Sequence, residues 1–342
     1  MNLSKYSLAE LGWRPFFLQQ LSLDELESFQ PARVFSVNRN QLVLRRPDAE
    51  DLHLPLPRKL APLAPGDWVL LDENLRPQRL LERQSLFSRK AAGSQLQEQL
   101  IAANVDTALI VCALNDDFSL NRIERYLVVA REAGVQPVVI LTWADHCELT
   151  HERVDAIRAL DQNLDVLAVN ALKSEELEPL NAWCSSGQTL VLLGSSGVGK
   201  TTLARQLTGQ DLATGAIRLS DSKGRHTTAA RSFHPLQAGG WLLDTPGMRE
   251  LQLPAAETGV KAVFSEITAL AEDCFFRDCQ HQEEPGCAVL AAIESGDLDS
   301  RRLEQYHRLL REQAQHAASL SEKRKKGREL SKVRKTLIDK RQ

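Results

Sequence analysis

The sequence predicts an α/β protein: a mostly parallel sheet, with an OB-like β-barrel ahead of it and a C-terminal zinc-binding helical domain behind it. Three observations predict this. Short β-like pieces punctuated by Pro and Gly fill 31–83, continuous apolar runs alternate with helical ones over 106–255, and "CFFRDCQHQEEPGC" interrupts helical sequence beyond 256. At 342 residues the chain is longer than one core usually serves, so two or three domains are expected. With 43% hydrophobic and 25% charged residues it reads as an ordinary globular protein. No apolar run is long enough for a membrane span. The opening "MNLSKYSLAELGW" lacks the pattern of a signal peptide. The expectation is a cytoplasmic protein without a membrane partner, and a monomer. In a reducing compartment six cysteines point to metal ligands or buried thiols before disulfides.

Taken in order, residues 1–30 show short apolar clusters without a period and predict no element. Over 31–83 the pieces "ARVFSVNR", "QLVLRR", "DLHLPLP", "GDWVLLDE" and "PQRLLER" suggest a barrel of about five strands. It is either an RNA-binding module or a small β domain with no ligand. Arg33, Arg39, Arg45 and Arg46 are there to meet phosphate or simply to be solvated. Residues 84–105 form a polar connector. The domain of 106–255 then alternates strands "DTALIVCAL", "QPVVILTWAD", "LDVLAVNAL", "QTLVLLGS" and "GGWLLDTPG" with helices "SLNRIERYLVVAREAG", "THERVDAIRALDQN", "SEELEPLNAWC" and "GKTTLARQLTG". Ile123, Leu127 and Ala130 share one face of the first helix, and Gly134 can stop it. Such alternation means a parallel sheet covered on both faces. Residues 256–320 turn helical around the Cys/His cluster, with Leu303, Tyr306 and Leu310 on one stripe of a long helix. The tail, 321–342, holds ten Lys/Arg against three Asp/Glu, a net +7, so the other 320 residues sum to −10. That tail is either a solvated end or a contact for a polyanion.

"LLGSSGVGKTTLARQLTG" carries the chemistry. Gly194, Gly199, Lys200 and Thr201 satisfy G-x-x-x-x-G-K-[ST] between an apolar strand and a helix, the context that makes a phosphate loop. Its glycines let the backbone of Gly194, Ser195, Ser196, Gly197, Val198 and Gly199 wrap closely, with Thr202 following in the helix. The N–H groups then face phosphate, and the helix adds its positive end. Lys200 neutralises the β- and γ-phosphates, and the Thr201 hydroxyl coordinates Mg²⁺. In "WLLDTPG", Asp244 is placed for the Mg²⁺ shell and the Gly247 N–H for the γ-phosphate. The polar "SDSKGRHTTAARSF" between them offers Thr227 or Thr228 to close over Mg²⁺. Guanine selection needs a carboxylate for N1–H and the exocyclic amine. "LTWAD" supplies Asp145 with Thr142, Trp143 and Ala144, resembling the [NT]-K-x-D signature. "VNAL", with Asn170 and Ala171, stands where a short S-A-x loop would back the base.

The elements therefore run base, base, phosphate, switch, switch, where conventional GTPases begin with the phosphate loop. This permuted order, with G-x-S-G-V-G-K-T, G-R-H-T-T and D-T-P-G, resembles the RsgA/YjeQ family, circularly permuted GTPases of small-subunit ribosome assembly. The resemblance covers about residues 31–310. It implies a P-loop GTPase that binds GTP and GDP, the 30S subunit and its 16S rRNA, and times its own release by hydrolysis. It also implies rRNA contact through barrel and zinc module. Permutation is tolerable because nucleotide sits outside the carboxyl ends of several strands. It also leads the Asp244 switch into the Cys/His module, so γ-phosphate binding is expected to pull on that module.

Cys274, Cys279, His281 and Cys287 suit a closed, structural Zn²⁺ site, and the family's C-x4-C-x-H-x5-C pattern agrees. Cys112, Cys147 and Cys184 read as core thiols. For hydrolysis, Met248 stands where many GTPases carry a water-orienting Gln, which implies slow turnover until a partner stimulates it. His226 is the nearest polar candidate, a residue the family also points to, or else an exposed loop histidine. Trp143 replaces the Lys usual in the family and either stacks on the base or sits in the core. Two other functions fit less of this pattern: a P-loop phosphoryl transferase, and an RNA-binding protein that nucleotide only regulates.

Overall fold

The computed structural model describes residues 6–38, 40–57, 60–90, 98–210, 232–244 and 256–315. They fall into two compact units. One holds the N-terminal region and both larger sheets, and the other holds the residues after 252 with the stretches 89–99 and 127–132.

Residues 1–30, for which the sequence predicts nothing, contain α1 (Pro15–Leu18) and α2 (Leu23–Ser28). Four and six residues are too few to show a helical period. What marks α2 is its capping box: the Ser22 hydroxyl accepts the Glu25 N–H, and the Glu25 carboxylate accepts the Ser22 N–H. Five strands follow, β1 (Gln30–Val37), β2 (Leu42–Arg45), β3 (Leu52–Leu54), β4 (Trp68–Leu71) and β5 (Pro77–Leu80), one for each expected piece. They form an antiparallel sheet ordered β3-β2-β1-β4-β5. Side chains alternate across it. Ala32, Val34, Val69 and Leu71 pack on one face with Leu42 and Leu44. On the other, Phe35, Trp68 and Leu70 join Leu11, Phe17 and Trp241. Strand β4 and the middle of β1 are thus buried on both faces, while β2, β3 and β5 keep side chains at the surface. The connector is less featureless than expected, because β6 (Leu86–Lys90) and β7 (Glu98–Ala103) pair as a two-stranded ribbon. Phe87 and Ile101 are buried in it.

The main sheet is built from β8 (Thr107–Ala113), β9 (Gln136–Thr142), β10 (Asp165–Val169), β11 (Thr189–Leu193), β12 (Ser232–Pro235) and β13 (Trp241–Asp244). Its order is β10-β9-β8-β11-β13-β12, parallel throughout except for β12 at the edge. Helix α3 (Leu120–Glu132) follows β8, with Ile123, Leu127 and Ala130 all buried and Gly134 at φ +72° just beyond. Helix α4 (Thr150–Arg158) ends earlier than expected. The helix expected over "SEELEPLNAWC" is a 3-10 turn, Ser174–Leu180, then α5 (Asn181–Cys184), because Pro179 lacks the N–H an α-helix needs there. Helix α6 (Lys200–Thr208) follows the phosphate loop. Leu109, Val111, Val138, Ile140, Leu190 and Leu203 make the centre of this core.

In the second unit α7 (Glu257–Val263) and α8 (Ser265–Glu272) break at Phe264, then come α9 (Ala288–Ser295) and α10, residues 300–315. Arg302 of α10 is buried. Its guanidinium donates to the Val263 carbonyl at 2.8 Å, meets the Glu266 carboxylate and lies 4.4 Å over the Phe264 ring. Among the described residues no helix is long and apolar enough to cross a membrane.

Candidate nucleotide site and metal centre

Parallel strands deliver their carboxyl ends to one edge, where α/β sheets bind ligands. Across this edge lie the loops after β10 (Asn170), β9 (Asp145), β8, β11 (the phosphate loop) and β13 (Asp244), in that spatial order. The order along the chain is shuffled, but along the edge the residues expected at the base, Asn170 and Asp145, come first and Asp244, expected at the metal, comes last.

Glycine is needed at two points of the phosphate loop. Gly194 has φ +139°, and a Cβ there would stand 2.3 Å from the Val111 carbonyl oxygen. Gly199, at φ +94°, is the N-cap of α6. The Lys200 ammonium donates to the carbonyls of Gly194, at 2.7 Å, and of Ser195. Val198 is buried, Ser196 and Gly197 are exposed, and Thr201 and Thr202 are half-buried in the first turn of α6.

The end of β9 is tied to this loop directly. Buried Thr142 donates its hydroxyl to the Val198 carbonyl at 2.8 Å. Strand β9 ends at Thr142, so Asp145 does not close the strand as the sequence suggests. Trp143 turns into the left-handed region, at φ 64°, and Ala144–His146 form a single 3-10 turn. Trp143 is 48% exposed, which excludes the core placement. Asn170 donates its amide to an Asp145 carboxylate oxygen at 2.7 Å, and Ala171 is buried behind it. One residue that sequence reasoning misses is Glu176. Its carboxylate accepts the Asn170 N–H at 2.7 Å and the Lys173 ammonium at 3.0 Å. Those two donors, the Asn170 N–H first, hold its carboxyl below the usual range. The only signal for it was an acid six positions beyond Asn170.

Asp244 is exposed at the end of β13. His226, Thr227, Thr228 and Gly247, with Met248, lie outside the described residues, as do Arg39 and the basic tail. Two barrel arginines correct the sequence reading. Arg33 is buried, donating to the carbonyls of Leu11 (2.6 Å) and Asn104 (3.3 Å) and to the Thr189 hydroxyl (2.8 Å). Arg45 is bidentate on Asp51 and lies 4.1 Å over the Phe35 ring. Arg46 is half-buried.

Cys274, Cys279, His281 and Cys287 place one ligand atom each within 4.8 Å of all the others. The Sγ atoms of Cys274 and Cys287 are 3.9 Å apart, and His281 Nδ1 lies 3.6 and 3.4 Å from them. A tetrahedron with zinc–sulfur bonds near 2.3 Å has edges of about 3.8 Å, so the donor set fits zinc. Burial lowers the His281 pKa, keeping the ring in its neutral, ligating form. The Leu290 N–H at the start of α9 donates to Cys287 Sγ at 3.5 Å. Among the other cysteines, Cys112 and Cys184 are buried, with burial pushing the Cys184 thiol up to about 12, whereas Cys147 is only half-buried and no core thiol.

The RsgA GTPase family model matches residues 80–254. A model described as ABC transporter also matches, over 177–335, a span that includes the same phosphate loop. The small ribosomal subunit biogenesis GTPase RsgA 2 of Vibrio parahaemolyticus is 52% identical over 98% of this chain and 94% of its own length. The small ribosomal subunit biogenesis GTPase RsgA of Mesorhizobium japonicum is 45% identical over 90% of each. In fold, the chain is similar to the crystal structure of YjeQ from Thermotoga maritima, with TM-score 0.64 at 23% identity over 84% of this chain and 99% of that one. It is also similar to YloQ, a circularly permuted GTPase, with TM-score 0.59 at 22% identity over 84% and 96%. A shuffled set of loops gathered on one sheet edge, and relatives matched nearly end to end, lead to one conclusion: the chain belongs to the RsgA GTPase family and has its circularly permuted fold.

Proposed function

We propose that this chain hydrolyses GTP to GDP and phosphate while bound to the small ribosomal subunit, in contact with 16S rRNA, and leaves the maturing subunit when the γ-phosphate is gone. In this reading it works in the cytoplasm as a monomer. Asp145 accepts guanine N1–H and the exocyclic amine, Trp143 covers a face of the base, and the Ala171 loop backs it. The N–H groups of Gly194 to Thr202 and the Lys200 ammonium hold the phosphates. Thr201, Asp244 and one of Thr227 and Thr228 are the residues that would hold Mg²⁺, which supplies positive charge at the phosphates. Gly247 senses the γ-phosphate, and His226 orients the attacking water. With Met248 unable to do so, intrinsic turnover is slow and the subunit stimulates it. The four zinc residues form a closed structural site, and zinc there supplies cross-linking of the loop to α9.

The observation that carries this reading is the Thr142–Val198 hydrogen bond, which links a guanine-type carboxylate loop to the phosphate loop on one sheet edge. Single-turnover hydrolysis with and without small subunits tests it. Phosphate release is expected to accelerate strongly with subunits, and His226→Ala to lose most of the stimulated rate. Equal competition by ATP would defeat the Asp145 assignment, and an unchanged rate with subunits would defeat the partner.

A further inference from the structure

We infer that the zinc loop ends in a protein-docking tip, Phe275 and Phe276, which seats in an apolar pocket on a basic protein of the small subunit. The inference rests on the subunit reading above and refines it, assigning the loop to protein where the sequence suggested rRNA.

Phe275 is 78% exposed and Phe276 40%, and their rings stand edge to face, 4.9 Å apart at 87°. Phe275 leaves most of its surface in water and so contributes little to the fold, while Phe276 braces it from a less exposed position. They are also held in place. Phe275 follows the ligand Cys274, and its N–H donates to the Gly286 carbonyl at 3.1 Å. Gly286 lies at φ +72°, where a Cβ would stand 2.9 Å from Phe275 Cβ. Across the loop, the Glu284 carboxylate accepts the N–H groups of Gln280, Gln282 and Glu283 at 2.8, 2.8 and 3.1 Å. A tip fixed this way loses little entropy on docking.

Charge selects the partner. Flanking the two aromatics along the chain, Glu272, Asp273 and Asp278 are exposed, as is Glu283 further round the loop, and between residues 272 and 287 Arg277 is the one Lys or Arg. Three thiolates with zinc would leave the centre at −1 as well. RNA phosphates are repelled by such a loop, whereas a basic protein surface is attracted to it. An aromatic anchor inside a charged rim is the anatomy of a protein interface hot spot.

The test compares wild type with Phe275→Ala/Phe276→Ala and with Glu272→Lys/Glu283→Lys, zinc content confirming that each variant folds. Phe275→Ala alone serves if the double variant loses zinc. The probes are intact small subunits, protein-free 16S rRNA, and RNA-free protein extracted from the same subunits. The aromatic variant is expected to lose at least about tenfold in affinity for intact subunits and extracted protein, with rRNA binding unchanged. Charge reversal weakens subunit binding if the partner is basic protein. Unchanged subunit binding, a loss confined to rRNA, or tighter binding after charge reversal would overturn the inference. If wild type itself does not bind subunits, the subunit reading fails first and takes this one with it.

Discussion

At the scale of single residues, two side chains decide how this site and its support differ from a generic phosphate-loop protein. Trp143 is exposed beside Asp145, and in the proposed reading it stacks on the base, a contact worth about 1–3 kcal/mol. Trp143→Ala is therefore expected to weaken GDP binding by about tenfold, with Trp143→Phe recovering most of the loss by calorimetry. Asp145→Asn replaces an acceptor with a donor, so xanthine nucleotides should displace guanine ones. Arg33 is the other case. Burial pulls its guanidinium down to about 10, against the field of Asp106, and it serves Leu11, Asn104 and Thr189 at once. Arg33→Ala would orphan those buried acceptors at a cost of roughly 3 kcal/mol or more, measurable by urea denaturation. A charged residue in a β-like piece reads as surface, which is why its burial was not legible: nothing local in "ARVFSVNR" announces partners 22, 71 and 156 positions away.

At the scale of elements, legibility followed the length of the pattern. Continuous apolar runs gave the strands of the parallel sheet, and the Gly-rich loop between strand and helix gave its turn, because both signals are local. Gly194 shows how local. With its Cβ position 2.3 Å from the Val111 oxygen, Gly194→Ala must shift backbone, costing at least about 2 kcal/mol and most nucleotide affinity. What stayed hidden was set by tertiary contact: α1 by the aromatic cluster that its Phe16 and Phe17 complete, and the Trp143 turn by a left-handed residue no composition signals. Strand β12 carries an element-level pH effect. Burial lowers the pKa of His234 from 6.5, with the Asp244 carboxylate opposing. A histidine kept neutral in the fold takes up its proton more readily when unfolded. Its share of stability is present above pH 6.5 and is lost as pH falls from there through the folded value. Melting temperature is thus expected to drop on acidification, and by less in His234→Gln.

For the whole molecule, the consequence of permutation lies at the edge of the sheet. Strands β12 and β13 border the two segments proposed as switches, and the N-terminal sheet packs directly on both. Phe35 of β1 stands 4.6 Å from Phe233 and 5.1 Å from Trp241, centroid to centroid. Arg45 of β2 lies over Phe35, and the Trp241 indole N–H donates to the Glu10 carbonyl at 2.7 Å. The path from Asp244 to the Cys/His module runs through residues outside those described, whereas these contacts are immediate. A close-packed aromatic junction transmits small displacements, since it cannot deform continuously. A change at the γ-phosphate that moves β13 therefore has to move β1 or break the junction. Hydrogen exchange compared between GDP and a non-hydrolysable GTP analogue is expected to differ at the amides of β1 and β2. Phe233→Leu keeps an apolar side chain but removes the ring contacts with Phe35 and Trp241 and the ring face under Arg33. It should cost only about 1 kcal/mol of stability, leave nucleotide affinity unchanged, and shrink that difference. Identical barrel protection in the two nucleotide states of the wild type would show that the barrel is a passive anchor.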